Sequence, residues 1–211
     1  MALDVHRVTS AEEISALLGE PVELARGKKI SRLDVHCRDL IARSPFALLG
    51  TVDAEGRLDV SPRGGSPGFV EVSEDGASLV FGDAKGNRLA DSLRNILDTG
   101  SAGMLFLVPG FGETLRVNGS AHLTRDPSTL ERHAGDGSRP PKLAVVVEVE
   151  EAFLHCAAAT LRSQLWQPDA WPDLDGLARP AKIWKDHGSA QTPVEAIEEQ
   201  LAEGYTTGRD W

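Results

Sequence analysis

The feature that most constrains this chain is a run of short apolar segments between residues 46 and 149, separated by turns of Asp, Gly and Pro. Residues 46–51 are apolar, Asp53-Ala54-Glu55-Gly56 is a hairpin signal, and residues 58–63 form the returning segment. Segments 69–73 and 78–81 flank a second turn, Glu74-Asp75-Gly76. Segment 104–108 is wholly apolar, 114–123 alternates with polar residues, and 143–149 is a β-branched run. Six or seven short strands of this kind predict a mainly β fold with added helices (α+β), closed as a small antiparallel barrel. Closure removes exposed sheet edges.

Helical patterns lie mostly outside that block. Ser10 and Glu13 have capping-box spacing, Ile14, Leu17 and Leu18 form a stripe after them, and Gly19 ends the helix. A second helix is predicted over 31–42, capped at Ser31 and carrying Leu33, Cys37, Leu40 and Ile41 at helical spacing; Ser44-Pro45 closes it. Between the strands, a helix starting near Asn87 or Arg88 would bury Leu89, Leu93, Ile96 and Leu97. Residues 125–141 read as a polar loop, and a helical pattern resumes after His155 to about Trp166. Thr192-Pro193-Val194-Glu195 opens a last helix that Gly204 should stop. The organisation is one domain: a helical segment at 1–45, the barrel at 46–167 and a helical extension at 168–211.

Charge narrows the partners. With 22 basic and 32 acidic residues the chain carries −10, which repels nucleic acid and anionic lipid. An anion site must be a local basic pocket in an acidic envelope. Cys37 and Cys156 are too few for a disulfide framework. The charged N-terminus lacks a signal peptide's apolar centre, and no run approaches the ~20 apolar residues of a membrane span. The expectation is a cytoplasmic protein with reduced thiols.

Three segments could carry chemistry. In Asp59-Val60-Ser61-Pro62-Arg63-Gly64-Gly65-Ser66-Pro67-Gly68, a strand ends in a hydroxyl, a guanidinium and two glycines, which could admit an oxyanion. On local sequence alone, an ordinary Pro/Gly turn with a solvated Arg is the simpler reading. Gly82-Asp83-Ala84-Lys85-Gly86-Asn87-Arg88 runs from strand to helix start, where free amides and the helix dipole favour phosphate. Lys85 and Arg88 would there oppose the dipole unless an anion compensates them, whereas Asn87 could be a plain cap. Arg162, Ser163 and Trp166 fall within about one helical turn, with Arg162 and Trp166 on one face, suited to a flat ligand, a subunit contact or simple packing. The six histidines are scattered without HExxH or paired CxxC, and no Walker loop or helix-opening GxGxxG occurs.

Taken in order, these segments resemble the FMN-binding split-barrel family, and within it the proteins related to pyridoxamine 5'-phosphate oxidase. The residues that carry the resemblance are Ser-Pro-Arg-Gly at 61–64, Gly-Asn-Arg-Leu at 86–89, Leu-Arg-Asn-Ile at 93–96, Phe-Leu-Val-Pro-Gly at 106–110, Glu-Thr-Leu-Arg-Val-Asn-Gly at 113–119, and His-Cys with Arg-Ser-x-Leu-Trp at 155–166. The resemblance implies a six-stranded antiparallel split barrel, a homodimer, and FMN in a groove between the subunits. By position it assigns Ser61, Pro62, Arg63 and Gly64 to the strand beside the flavin, and Gly82 and Asp83 to the adjacent strand end. It assigns Asn87 and Arg88 to the phosphate loop, where Lys85 adds charge, and Thr114 to a polar contact. Arg162, Ser163 and Trp166 would come from the partner subunit.

The resemblance has gaps. Leu89 follows Arg88 where oxidases of pyridoxamine phosphate carry an Arg-Lys pair, and their substrate-phosphate residues have no counterpart in this chain. The expectation is therefore an FMN-dependent oxidoreductase of unknown substrate. The alternatives are a non-catalytic flavin or haem carrier or sensor, and a deazaflavin-dependent reductase on the same fold.

Overall fold

The computed structural model describes residues 6–84, 88–134, 140–188 and 191–207. Its frame is one antiparallel sheet of seven strands: β1 (Phe46–Val52), β2 (Leu58–Gly64), β3 (Glu71–Val72), β4 (Ser78–Gly82), β5 (Ser101–Leu107), β6 (Thr114–Thr124) and β7 (Ala144–His155). Their order is β2-β1-β5-β6-β7-β4-β3. Strand β7 continues well past the β-branched run that announces it, because β6 pairs with it along its full length. A bulge interrupts that ladder between Asn118 and Gly119. A Cβ on Gly119 would fall 1.8 Å from the Glu148 carbonyl oxygen, so only glycine fits the bulge.

The expected six-stranded closed barrel is not what the ladder shows. The hydrogen-bonded order has two ends, β2 and β3, and no ladder joins them. The segment that was to be a full strand at 69–73 contributes only two paired residues. Gly68 in a left-handed conformation (φ 85°) and a Phe69 N–H donated to Ser66 O begin it as a turn. The sheet nevertheless curls strongly, because Arg63 of β2 meets Asp83, just past β4, at 3.1 Å. The two flanks thus approach through side chains.

The helices are α1 (Ala11–Leu18), α2 (Glu23–Gly27), α3 (Val35–Arg43), α4 (Asp91–Thr99), α5 (Pro127–Arg132), α6 (Ala158–Arg162), α7 (Pro180–Gly188) and α8 (Val194–Thr207). Ser10 caps α1 through the Glu13 N–H, as its spacing predicts. Asp34 rather than Ser31 caps α3: its carboxylate accepts from Cys37 N at 2.9 Å, and that bond holds it below the usual carboxylate range. Pro127 and the Asp126 cap build α5 inside the stretch expected to be a loop. α6 is shorter than its pattern suggested, and α8 runs past Gly204. α7 and α8 pack on each other, burying Ala181 and Ile197.

One core lies between the curled sheet and helices α3 and α4. It holds Leu33, Ile41, Leu49, Leu79, Phe81, Ile96, Met104, Phe106, Leu115, Val117, Val145 and Val147. Helix α4 departs from its expected buried face. Ile96 and Leu93 point in, but Leu89 and Leu97 are exposed, and the buried positions include Ser92 and Asn95. Asn95 Nδ2 donates to Thr51 Oγ1 at 3.1 Å, so the polar pair is satisfied where it is buried. No helix among the described residues is long and apolar enough to cross a membrane.

Candidate functional site

The candidate site begins with the pleat of β2. Alternation turns Asp59, Ser61 and Arg63 to the half-buried side, and leaves Leu58, Val60, Pro62 and Gly64 exposed. Pairing sets the inward three against Thr51, Leu49 and Ala47 of β1. Each inward side chain then finds its own partner. Ser92 of α4 donates to Asp59 Oδ2 at 2.5 Å, and Ser61 Oγ lies 2.8 Å from Ser92 Oγ. Because the Ser92 proton goes to a carboxylate, Ser61 must donate to Ser92, and its lone pairs remain for another donor. Asp59 opens the first candidate segment of the sequence without a role assigned to it, and Ser92 is missing from the sequence reading, since a serine on an apolar helix gives no signal of what it faces.

Arg63 is the cation of the seam. Its Nη1 contacts Asp83 Oδ1 at 3.1 Å, with the two side chains 19% and 24% exposed. Burial pushes the Asp83 carboxyl above the usual range, while the charge and hydrogen bond of Arg63 pull against that shift. Arg63 Nε is buried with no partner among the described residues. A buried guanidinium N–H left open is costly, and it is an observation that favours an acceptor in the seam. Asp83 also spends part of the charge that was expected to be free for an anion.

The glycines of this region serve the chain's own packing. A Cβ on Gly64 would lie 3.3 Å from Pro45 O, and on Gly65 2.8 Å from Phe69 Cβ. On Gly82 it would lie 2.7 Å from Pro141 Cγ. Arg88 was expected in the first turn of a helix; it lies upstream of α4 instead, with φ 66°, and Ala90 caps the helix with φ 58°. Two non-glycine positions of that kind, one residue apart, are costly and delay the helix by about one turn. Asp91 occupies the first turn in the usual dipole-compatible way. The other loop positions, Lys85 and Asn87, lie outside the described residues.

The remaining predicted residues form a second group. Thr114 opens β6 opposite His155. Arg162 ends α6, Ser163 is its C-cap, and Gln164 turns the chain with φ 51°. Trp166 therefore lies beyond the helix and does not share a helical face with Arg162. Its indole N–H donates to Phe111 O at 2.8 Å. Thr160 Oγ1, 2.6 Å from Gly112 O, ties α6 to the same turn. The structure thus joins Ser61, Arg63, Gly82 and Asp83 in one seam, and places Thr114, Arg162, Ser163 and Trp166 in another part of the same chain.

No curated protein matches the chain. Among solved structures, HupZ of Group A Streptococcus is similar at 21% identity and TM-score 0.47, covering 57% of this chain and 92% of that one. A Clostridium acetobutylicum protein related to general stress protein 26, of the pyridoxinephosphate oxidase family, is similar at 14% identity and TM-score 0.42, covering 57% and 86%. HutZ, the haem storage protein of Vibrio cholerae, is similar at 15% identity and TM-score 0.41, covering 59% and 94%. The family model described as pyridoxamine 5'-phosphate oxidase matches residues 33–156, the stretch from the start of the buried core through the whole sheet, more than half of the 211 residues. On that match the chain belongs to the pyridoxamine 5'-phosphate oxidase family.

Proposed function

We propose that this protein binds FMN in the seam between β2 and the β4–α4 connection, in a homodimer, and works as an FMN-dependent oxidoreductase of unknown substrate. The observation that carries the reading is the buried Nε of Arg63, which has no partner among the described residues. Family membership gives that open donor a chemical context. The residues present fit the cofactor: Arg63 and the Ser61 hydroxyl offer a donor and an acceptor to a heteroaromatic ring. Arg88 lies on the connection that leads to α4, whose N-cap Ala90 supplies no side-chain hydrogen bond, and a phosphate there would compensate both the arginine and the helix dipole. With part of Arg63's charge taken by Asp83, the phosphate falls to Arg88 and the loop before it. A bound flavin supplies the redox chemistry, accepting and returning electrons or hydride.

What the chain contributes is binding and orientation. Ser92 and Asp59 fix the direction of the Ser61 hydroxyl, and Asp83 holds the guanidinium in place. The homodimer is supported by the outward face of β2, where Leu58 and Val60 stand exposed at 83% and 65%. An apolar edge strand of this kind is normally covered. In a dimer, Thr114, Arg162, Ser163 and Trp166 of one protomer would close over the flavin of the other.

The test is the absorption spectrum of the purified protein before and after FMN addition, followed by reduction with NADH and NADPH. A flavin spectrum with altered fluorescence, bleached by a nicotinamide, is expected. A protein that ignores FMN, or that takes haem or a deazaflavin in its place, rejects the reading. Bound FMN that no donor reduces rejects the enzymatic half alone.

A further inference from the structure

The outer face of the sheet holds a second cluster that the seam does not use. Phe153 of β7 is almost buried, and three cations surround its ring: Lys28 Nζ at 5.1 Å, Lys29 Nζ at 5.4 Å and Arg116 at 5.5 Å from the centroid. The backbone explains the convergence. Arg116 pairs directly with Phe153 across β6 and β7, while the bridge from Ile30 to Ala152 brings Lys28 and Lys29 along the other side. Among the described residues Lys29 pairs with Glu151 at 2.6 Å, and the charge of Arg116 also acts on that carboxylate. Among the described residues neither Lys28 nor Arg116 has an acidic group within ion-pair reach; Lys28 Nζ donates to Leu154 O at 2.9 Å and keeps two further protons. His155, its ring 4.8 Å from that of Phe153, has a buried Nε2 with no partner among the described residues.

The aliphatic stems of these cations cover Phe153, and that alone could account for one of them. It does not account for the local surplus in a chain of net charge −10, nor for the open imidazole nitrogen. Beside the cluster lies a cavity of about 540 Å³, within the usual range for small-molecule sites. Ile30, Leu40, Val108, Leu115 and Phe153 give it an apolar lining, and Lys28 stands on its wall. The two acids on that wall are engaged elsewhere: Asp34 caps α3 and Asp39 pairs with Arg43. Lys28 is thus the lining cation left with charge to offer.

We propose that this corner binds a small organic monoanion with an apolar body, an aryl or alkyl carboxylate, its carboxylate on Lys28 and its body in the cavity. Arg116 and His155 add positive field and a donor from β6 and β7. Within one protomer the corner is separate from the seam of β2 and β4, although Thr114, opposite His155, and Trp166, bonded to Phe111 on the cavity wall, stand beside it. Asp83 bonds Leu143 at the start of β7, and Phe153 lies ten residues on, roughly 30 Å of extended strand away. The proposal does not rest on FMN binding.

Calorimetry with 2-naphthoate and its uncharged counterpart 2-naphthalenemethanol, on the full chain with and without saturating FMN, tests it. Naphthoate should bind equally in both conditions and at least tenfold more tightly than the alcohol. Lys28→Gln should weaken naphthoate about tenfold and Arg116→Gln a few-fold, with melting temperatures unchanged because both side chains are exposed. Equal binding of acid and alcohol, or indifference to Lys28→Gln, would overturn the proposal. So would displacement of naphthoate by FMN, which would make the corner part of the flavin site. No naphthoate binding together with a dimer that dissociates in Lys28→Gln would show that a second copy covers the corner, and would overturn it too.

Discussion

The two flanks of the sheet are built on different terms. On the β4–β7 flank, Leu79, Phe81, Val145 and Val147 are each 1% exposed or less, and their contacts are dry and apolar. On the β2 flank nothing is fully buried: polar Asp59, Ser61 and Arg63 are half-covered, and apolar Leu58 and Val60 face outward. A strand arranged that way adds little hydrophobic stabilisation on its own. What it offers is a row of oriented polar groups on one side and an exposed apolar face, Leu58 and Val60, on the other. Hydrophobic stability is thus concentrated on one flank, and the proposed cofactor and subunit contacts fall on the other, so substitutions on the two should read out in different assays.

The largest effect is expected where β6 crosses β7. In Gly119→Ala the new methyl would overlap the Glu148 carbonyl, and the ladder would have to break to admit it. A loss of more than about 4 kcal/mol is expected, enough to prevent accumulation of folded protein. Gly27→Ala is the control, since a Cβ there meets nothing within 4 Å. If urea unfolding finds Gly119→Ala within 1 kcal/mol of the parent, the bulge is not as described.

Phe81→Ala should cost about 3–5 kcal/mol, because it empties a site in the dry flank. Val60→Ala, on the other flank, should cost under about 0.5 kcal/mol in a monomer. In a dimer that uses β2 the same change should weaken association and make the unfolding midpoint depend on protein concentration. Analytical ultracentrifugation of Val60→Asp against the parent separates the two outcomes.

Between these extremes lies Ser92→Ala. It leaves Asp59 and Ser61 without their shared partner in a half-buried setting, so a loss of about 1–2 kcal/mol is expected. The Ser61 hydroxyl would also lose its fixed direction. FMN affinity should fall although Ser92 touches no cofactor, and Ser92→Thr should restore part of it. Unchanged FMN affinity in a stable Ser92→Ala protein would remove the relay from the site.

How far the sequence reveals these differences depends on what kind of signal each residue carries. Strand positions are legible because alternation and Asp/Gly turns are local, and six of the seven strands fall on their expected segments. Strand β3 is cut short by a turn at Gly68 that looks from sequence like the approach to a strand. The start of α4 is misread because Arg88 and Ala90 adopt left-handed conformations that no side chain of theirs announces. Ser92 and Asn95 are misread for the opposite reason. A helical stripe is normally apolar, and their burial is set by partners on β1 and β2 that only the folded chain brings near. In the candidate site Arg63 is legible as a forked donor after a strand. Its pairing with Asp83 depends on sheet curl, a property of the whole domain.

The smallest effect concerns pH, and its sign separates Asp83 from the other perturbed acids. Burial holds Asp83 above the usual carboxylate range in the folded protein, so between its ordinary value of 3.8 and the folded one the native state binds more protons than the unfolded state. Its contribution to stability is therefore complete below about pH 4 and is lost as pH rises through the folded value. Arg63 opposes this shift. Arg63→Met should extend the loss to higher pH, and Asp83→Asn should abolish it. Asp75 and Asp126 behave in the reverse sense. Hydrogen bonds to the Ala77 N–H and to the Ser128 hydroxyl, respectively, lower each to about 2, so their contributions are present above about pH 4 and fade as pH falls toward 2. Urea midpoints measured from pH 2 to pH 7 should show a common acid limb in all three proteins and divergence only above it. A difference confined to the acid limb would mean that Asp83 is not buried against Arg63, and the seam between β2 and β4 would then lack the ion pair that holds its donor in place.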